Sequence, residues 1–139
     1  MTNDEIQLVQ RSWLQARPMK QAMAEVFFAR LFELDPGMRA LFDQDLAKPR
    51  TRLLQMTSAS VRGLDRLDAM LPVLRLLGMR HRLLGVRDEH YASVAAAWLW
   101  TLEKALRAEF TPVVKSAWIK TYGVLSQPLR EVAQRSLAA

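Results

Sequence analysis

The 139-residue chain has no cysteine and only two histidines, His81 and His90. The first absence excludes a disulfide framework, a thiolate zinc site, an iron–sulfur cluster and a cysteine nucleophile. The second excludes a zinc site built of imidazoles alone, which needs at least three, and neither H-x-x-x-H nor H-E-x-x-H occurs. Glycine is scarce too. Its five copies stand alone, so no Gly-rich loop is available to cradle a phosphate. No apolar run reaches the roughly 18 residues that a spanning helix needs. The polar, acidic start Met1-Thr2-Asn3-Asp4-Glu5 does not read as a signal peptide, so a cytoplasmic protein is expected.

What is present is an ordinary folded composition, with 50% hydrophobic and 24% charged residues. The length fits one domain over residues 1–139. There are 20 Lys+Arg against 14 Asp+Glu, a net charge of +6. That balance admits an anionic partner without naming one. The cations are scattered along the chain, which weighs against nucleic acid.

Apolar residues recur at helical spacing throughout, and no stretch alternates with period two. Thr2-x-x-Glu5 starts a first helix carrying Ile6, Val9, Trp13 and Ala16. Pro18 interrupts it. A second helix carries Met23, Val26, Phe27, Leu31 and Leu34 and ends at Asp35-Pro36. A short helical turn over 36–42 and a polar loop over 43–48 follow. Pro49 fits the first turn of the next helix, which runs to Gly63. Another starts at Asp65 or Asp68, is interrupted at Pro72 and continues to Gly85. Asp88 caps a helix carrying Tyr91, Val94, Trp98 and Leu102. Thr111-Pro112 opens the last, in which Pro128 predicts a kink or an early end. The sum is an all-α domain of seven to eight helices.

His81 follows Leu77 by four residues and Leu74 by seven, on the apolar stripe of its helix. An imidazole aimed into an apolar interior needs a partner. One reading is a core histidine bonded to a carbonyl. The other is a metal ligand, and haem iron is a cofactor that needs only one from the protein.

The chain resembles the globins, closest to neuroglobins and bacterial single-domain globins. The resemblance runs through Leu8–Trp13, Phe27–Pro36, Leu41-Phe42, Leu77–Val86, Phe110–Pro112, Ala117-Trp118 and Tyr122-Gly123. It implies a globin fold around a haem pocket, with haem b held through His81. Phe42 matches the phenylalanine that packs flat on the haem. Leu77, Val86 and Val94 match apolar lining positions. Tyr91 matches a tyrosine that approaches the proximal imidazole in bacterial globins. The glutamate that accompanies it there is matched by Ala133, with Glu131 two residues away.

The resemblance also locates a distal side that departs from the usual pattern. The position of the usual distal histidine or glutamine falls on Pro49, or on Arg50 if the loop is shorter. The distal tyrosine of many bacterial globins is matched by Phe28, and a ligand-crowding apolar position by Leu53. An N–H or O–H donor near the gas stabilises dioxygen by roughly 1–3 kcal/mol and carbon monoxide much less. Only Arg50 or Arg52 could supply one. The alternative for both is water or the haem propionates, which we prefer, because a desolvated guanidinium is costly unless paired. His90 is expected at the surface.

The resemblance therefore implies reversible binding of a diatomic gas, O2, CO or NO, in an apolar distal pocket. It leaves an electron-donating reductase and a homodimer open. A haem enzyme converting NO with O2 to nitrate, or using peroxide, is the alternative within the family. From another class, a basic helical module could bind nucleic acid or an acidic protein without a cofactor.

Overall fold

The computed structural model describes the backbone of residues 1–138 and the side chains of residues 1–135. It holds six α-helices: α1 (Asn3–Ala16), α2 (Lys20–Leu34), α3 (Ala47–Arg62), α4 (Leu67–Leu83), α5 (Asp88–Leu106) and α6 (Pro112–Ala138). Short 3-10 segments join several of them, and no strand occurs among the described residues.

The local chemistry explains most boundaries. Thr2 Oγ1 accepts the Glu5 N–H at 3.1 Å while the Glu5 carboxylate accepts the Thr2 N–H at 2.8 Å, so two orphan donors at the start of α1 are satisfied. Asp35, ahead of Pro36, leaves the helical region and ends α2. Thr111 Oγ1 accepts the Val114 N–H at 3.3 Å and opens α6.

The helix count is below the seven to eight expected, for two reasons. The segment Pro36–Leu41 is 3-10 rather than α. Pro72 lies inside one continuous α4, and Pro128 inside an α6 that runs on past it. Each proline removes one backbone donor, and the packing of α4 against α6 around Leu74 and Leu129 outweighs that loss. Asp88 is the first residue of α5 and Arg87 is its cap position.

The buried side chains form two separate clusters. The larger gathers Val9, Trp13, Phe27, Phe28, Leu31, Trp98 and Leu102 with others from α1, α2, α3, α5 and α6. Trp98 is its hub, with ring centroids 6.1 Å from Trp13, 5.9 Å from Phe27 and 6.2 Å from Trp118. Trp118 Nε1 donates to buried Ser12 Oγ at 2.8 Å, so the indole polar end is also satisfied. Full burial of a side chain such as Leu31 or Phe27 contributes roughly 1.5–3 kcal/mol. The smaller cluster joins Leu74, Tyr91 and Leu129, with Met70, Leu77, Val86, Tyr122 and Leu125 packed on it. It binds α4 to α5 and α6. Gly78 lets α4 approach α6 closely: a Cβ there would lie 2.5 Å from the Leu129 carbonyl oxygen and 2.7 Å from its Cα.

Candidate functional site

The expected site residues divide between the two clusters. Phe28 belongs to the larger, and Phe42, Leu53 and Val94 pack against it. Tyr91 belongs to the smaller, and Leu77 and Val86 pack against that one. His81 lies on α4 among the second group.

His81 is half-buried, and its Nδ1 is enclosed with no hydrogen-bond partner. Burial alone pushes its pKa below the ordinary 6.5, which favours the neutral imidazole with a free lone pair. Its ring is 6.4 Å from that of Tyr91, tilted by 48°. The end of α4 fixes its place. The Val86 N–H donates to the His81 carbonyl at 2.9 Å, and the Gly85 N–H to the Arg82 carbonyl at 3.0 Å. This is a Schellman ending, and Gly85 takes the positive φ of 97° that the motif assigns to that position. Val86 is thereby folded back beside the turn that carries His81.

Tyr91 is held from two sides. Its carbonyl accepts the Tyr122 hydroxyl at 2.6 Å. Arg130 stacks over its ring at 6.0 Å, and two bonds of 2.7 and 2.9 Å tie Arg130 to Asp88. Burial raises the pKa of both phenols, so both are neutral donors. The Arg130 guanidinium holds the Asp88 carboxyl below its usual range. Ala133 is half-buried, and Glu131 is exposed and accepts from Gln127 at 3.0 Å.

On the other side, Phe28, Phe32 and Phe42 form a triangle of rings with centroids 5.3–5.9 Å apart. Arg39 fixes the corner that carries Phe42. It donates to the carbonyls of Phe42 (3.3 Å), Asp43 (3.0 Å) and Gln44 (3.1 Å), and its guanidinium lies 5.3 Å over the Phe32 ring. Pro49 and Arg50 are half-buried, and the Arg50 Nε is enclosed without a partner. Arg52 is exposed, on a solvent-facing depression of α3 with Ala47, Lys48, Thr51 and Gln55.

His90 corrects an expectation. It is buried at 6% exposure, and its Nδ1 accepts the Arg87 N–H at 2.9 Å. It closes the start of α5 instead of meeting solvent, because the residue three places after a cap can reach back to that cap's N–H. Arg39, Tyr122 and Arg130 carry no site role in the sequence reading. Arg39 acts on carbonyls three to five residues ahead of it, and Tyr122 and Arg130 act across a helix pair, so no local pattern marks them.

The donor set fits a flat apolar cofactor taken by one imidazole. His81, half-buried on α4, has a ring nitrogen without a hydrogen-bond partner, and aromatic and aliphatic side chains of two distinct clusters make up the rest. No group of three or more His, Asp and Glu that could hold a free metal ion occurs among the described residues.

Residues 25–129 match the family model for Globin. The flavohemoprotein of Bacillus subtilis is 32% identical over 103 residues, covering 72% of this chain and 26% of that protein. The chain thus spans about a quarter of that relative's length. Neuroglobin of Chaenocephalus aceratus is 29% identical over 139 residues, covering 90% of this chain and 87% of neuroglobin. Among solved structures, an engineered carbene transferase made from a putative nitric oxide dioxygenase of Rhodothermus marinus superposes with a TM-score of 0.88 at 23% identity, covering 99% of this chain and 96% of that one. A bacterial globin from Campylobacter jejuni gives 0.83 at 18% identity, covering 99% and 100%.

Proposed function

As this chain belongs to the globin family, we propose that it holds haem b through His81 and reversibly binds a diatomic gas. The observation that carries the reading is the state of His81: half-buried on α4, with burial favouring the neutral ring and no group of the fold hydrogen-bonded to its Nδ1. Haem, when bound, supplies an iron centre whose open side takes the gas. Every other contribution comes from the chain. Phe42, held by Arg39, and Phe28 offer ring surface on one side. Leu77, Val86 and Val94 exclude water, which keeps the imidazole neutral and the pocket apolar.

Tyr91 orients the His81 ring from the side, and Tyr122 and Arg130 in turn fix Tyr91. With Ala133 and an outward Glu131, no carboxylate accompanies Tyr91 from α6. The imidazole is therefore an ordinary neutral ligand without strong anionic character. Pro49, Leu53 and Phe28 offer no donor on the gas side. Arg50 has an N–H to give, and its enclosed Nε favours an inward stem over the solvent-facing course of Arg52. The electrons that keep the iron reduced would come from an electron-donating reductase.

An absorption titration with haemin tests the assignment. One equivalent taken up, a five-coordinate spectrum after dithionite and a sharp shift with carbon monoxide are expected. His81→Ala should lose the normal spectrum. A six-coordinate reduced spectrum would mean that another side chain reaches the iron. No stoichiometric uptake would overturn the function.

A further inference from the structure

Of the large hydrophobic side chains exposed on this molecule, five lie on or just after one helix: Val73 at 55% exposure, Leu76 at 57%, Met79 at 36%, Leu83 at 78% and Leu84 at 64%. With 3.6 residues per turn, Leu76, Met79 and Leu83 form a row roughly opposite His81, so this face of α4 points away from the proposed cofactor. Leu74 and Gly78, on a different face, are the buried contacts of α4 with the rest of the fold.

Charge makes this row distinctive. Residues 69–87 contain no Asp or Glu, but they contain Arg75, Arg80, Arg82 and Arg87. Helical spacing sets Arg80 on one shoulder of the row and Arg75 and Arg82 on the other. A row of aliphatic side chains flanked by arginines matches an anionic amphipathic medium. The leucines are knobs, with most of their surface in water, and they are aliphatic. Rigid protein interfaces draw their affinity mainly from Trp, Tyr and Arg seated in matched pockets. A soft medium accepts protruding leucines without a matched pocket. A second copy is disfavoured, because a two-fold pairing of this face would set arginines against arginines.

We propose that the outer face of α4 docks on an anionic lipid surface, with Leu76 and Leu83 entering the headgroup boundary and Arg75, Arg80 and Arg82 pairing with lipid phosphates. The arginine stems lie along the apolar boundary while the guanidinium groups stay at the phosphate level. This concerns attachment alone, since no helix among the described residues is long and apolar enough to cross a membrane.

The test is co-sedimentation of the full chain with vesicles of phosphatidylcholine, with and without phosphatidylglycerol. Binding to the phosphatidylglycerol vesicles, at least tenfold above phosphatidylcholine alone and falling with added salt, is expected. The double variant Leu76→Gln/Leu83→Gln should lose that binding at least tenfold with an unchanged circular dichroism spectrum, since both side chains are exposed. Arg75→Gln/Arg80→Gln should lose its salt-sensitive part. No preference for phosphatidylglycerol, or equal binding by the leucine variant, would overturn the proposal. So would a concentration-dependent dimer in sedimentation velocity that the leucine variant abolishes, because the face would then belong to a second copy.

Discussion

Arg50 is where charge and chemistry meet most sharply at the level of a single residue. Its Nε is enclosed and has no hydrogen-bond partner. Leaving that enclosed N–H unpaired is costly, so the group gains by meeting an acceptor. Bound dioxygen carries partial negative charge, and a charged donor stabilises such an acceptor by about 1.5–3 kcal/mol. Arg50→Leu should then speed dioxygen dissociation by roughly ten- to a hundredfold and leave carbon monoxide nearly unchanged. Stopped-flow dissociation of both gases measures this. Equal effects on the two would place the guanidinium with water or the propionates. The sequence carries His81 plainly, because Leu74, Leu77 and His81 share one helical stripe. It does not separate Arg50 from Arg52. They are two residues apart, hence on different faces, and only the register of α3 decides which one turns inward. His90 misleads for a related reason: a histidine among charged neighbours looks exposed until its reach back to the Arg87 N–H is known.

Elements are positioned here by close backbone approaches as much as by side chains. Gly78 lets α4 lie against the α6 backbone one turn ahead of His81. A methyl group there meets the Leu129 backbone at 2.5 Å, which no rotamer change relieves. Gly78→Ala should therefore destabilise the fold by about 1–3 kcal/mol, as overpacking of a tight contact does, and should weaken haemin uptake by displacing the turn that follows. Gly85→Ala acts differently. Its φ of 97° disfavours any Cβ, at a cost of roughly 1–2 kcal/mol. Urea unfolding of both variants reads the costs, and a change within error at position 78 would mean that α4 and α6 can slide apart freely. Gly85 is legible in the sequence as a helix stop. Gly78 is not, because an isolated helical glycine gives no sign of the backbone it faces. Pro72 and Pro128 err in the opposite direction. Local rules read them as breaks, and tertiary packing carries both helices through.

Across the whole molecule, α6 closes the fold and is clipped at two places by exposed ion pairs. Lys120 binds Glu5 of α1, and Arg130 binds Asp88 at the start of α5. Lys120 lowers the Glu5 pKa from the ordinary 4.5 to about 2, and Arg130 lowers that of Asp88 below 3.8. A carboxyl whose folded pKa is depressed contributes stability above its ordinary pKa and loses it as pH falls through the folded value. Both clips therefore weaken in the same direction below pH 4.5, while the net charge of +6 at neutrality grows and adds self-repulsion. The all-α class and the place of His81 on an apolar stripe follow from helical spacing alone, because they rest on contacts within one helix. These two clips pair residues 115 and 42 positions apart, beyond any local pattern. Acid titration of the haem-free chain should show stability falling from pH 4.5 toward 2, with a smaller fall in Glu5→Gln and a smaller one still when Asp88→Asn is added. Each variant starts lower at neutral pH, since it lacks a clip that the parent has there. Because the pairs are exposed, added salt should shrink the difference between parent and variants. Parallel curves at low salt would mean that α6 is held by its apolar face alone, through Leu129, Trp118 and Ala117, with the ion pairs contributing nothing to closure.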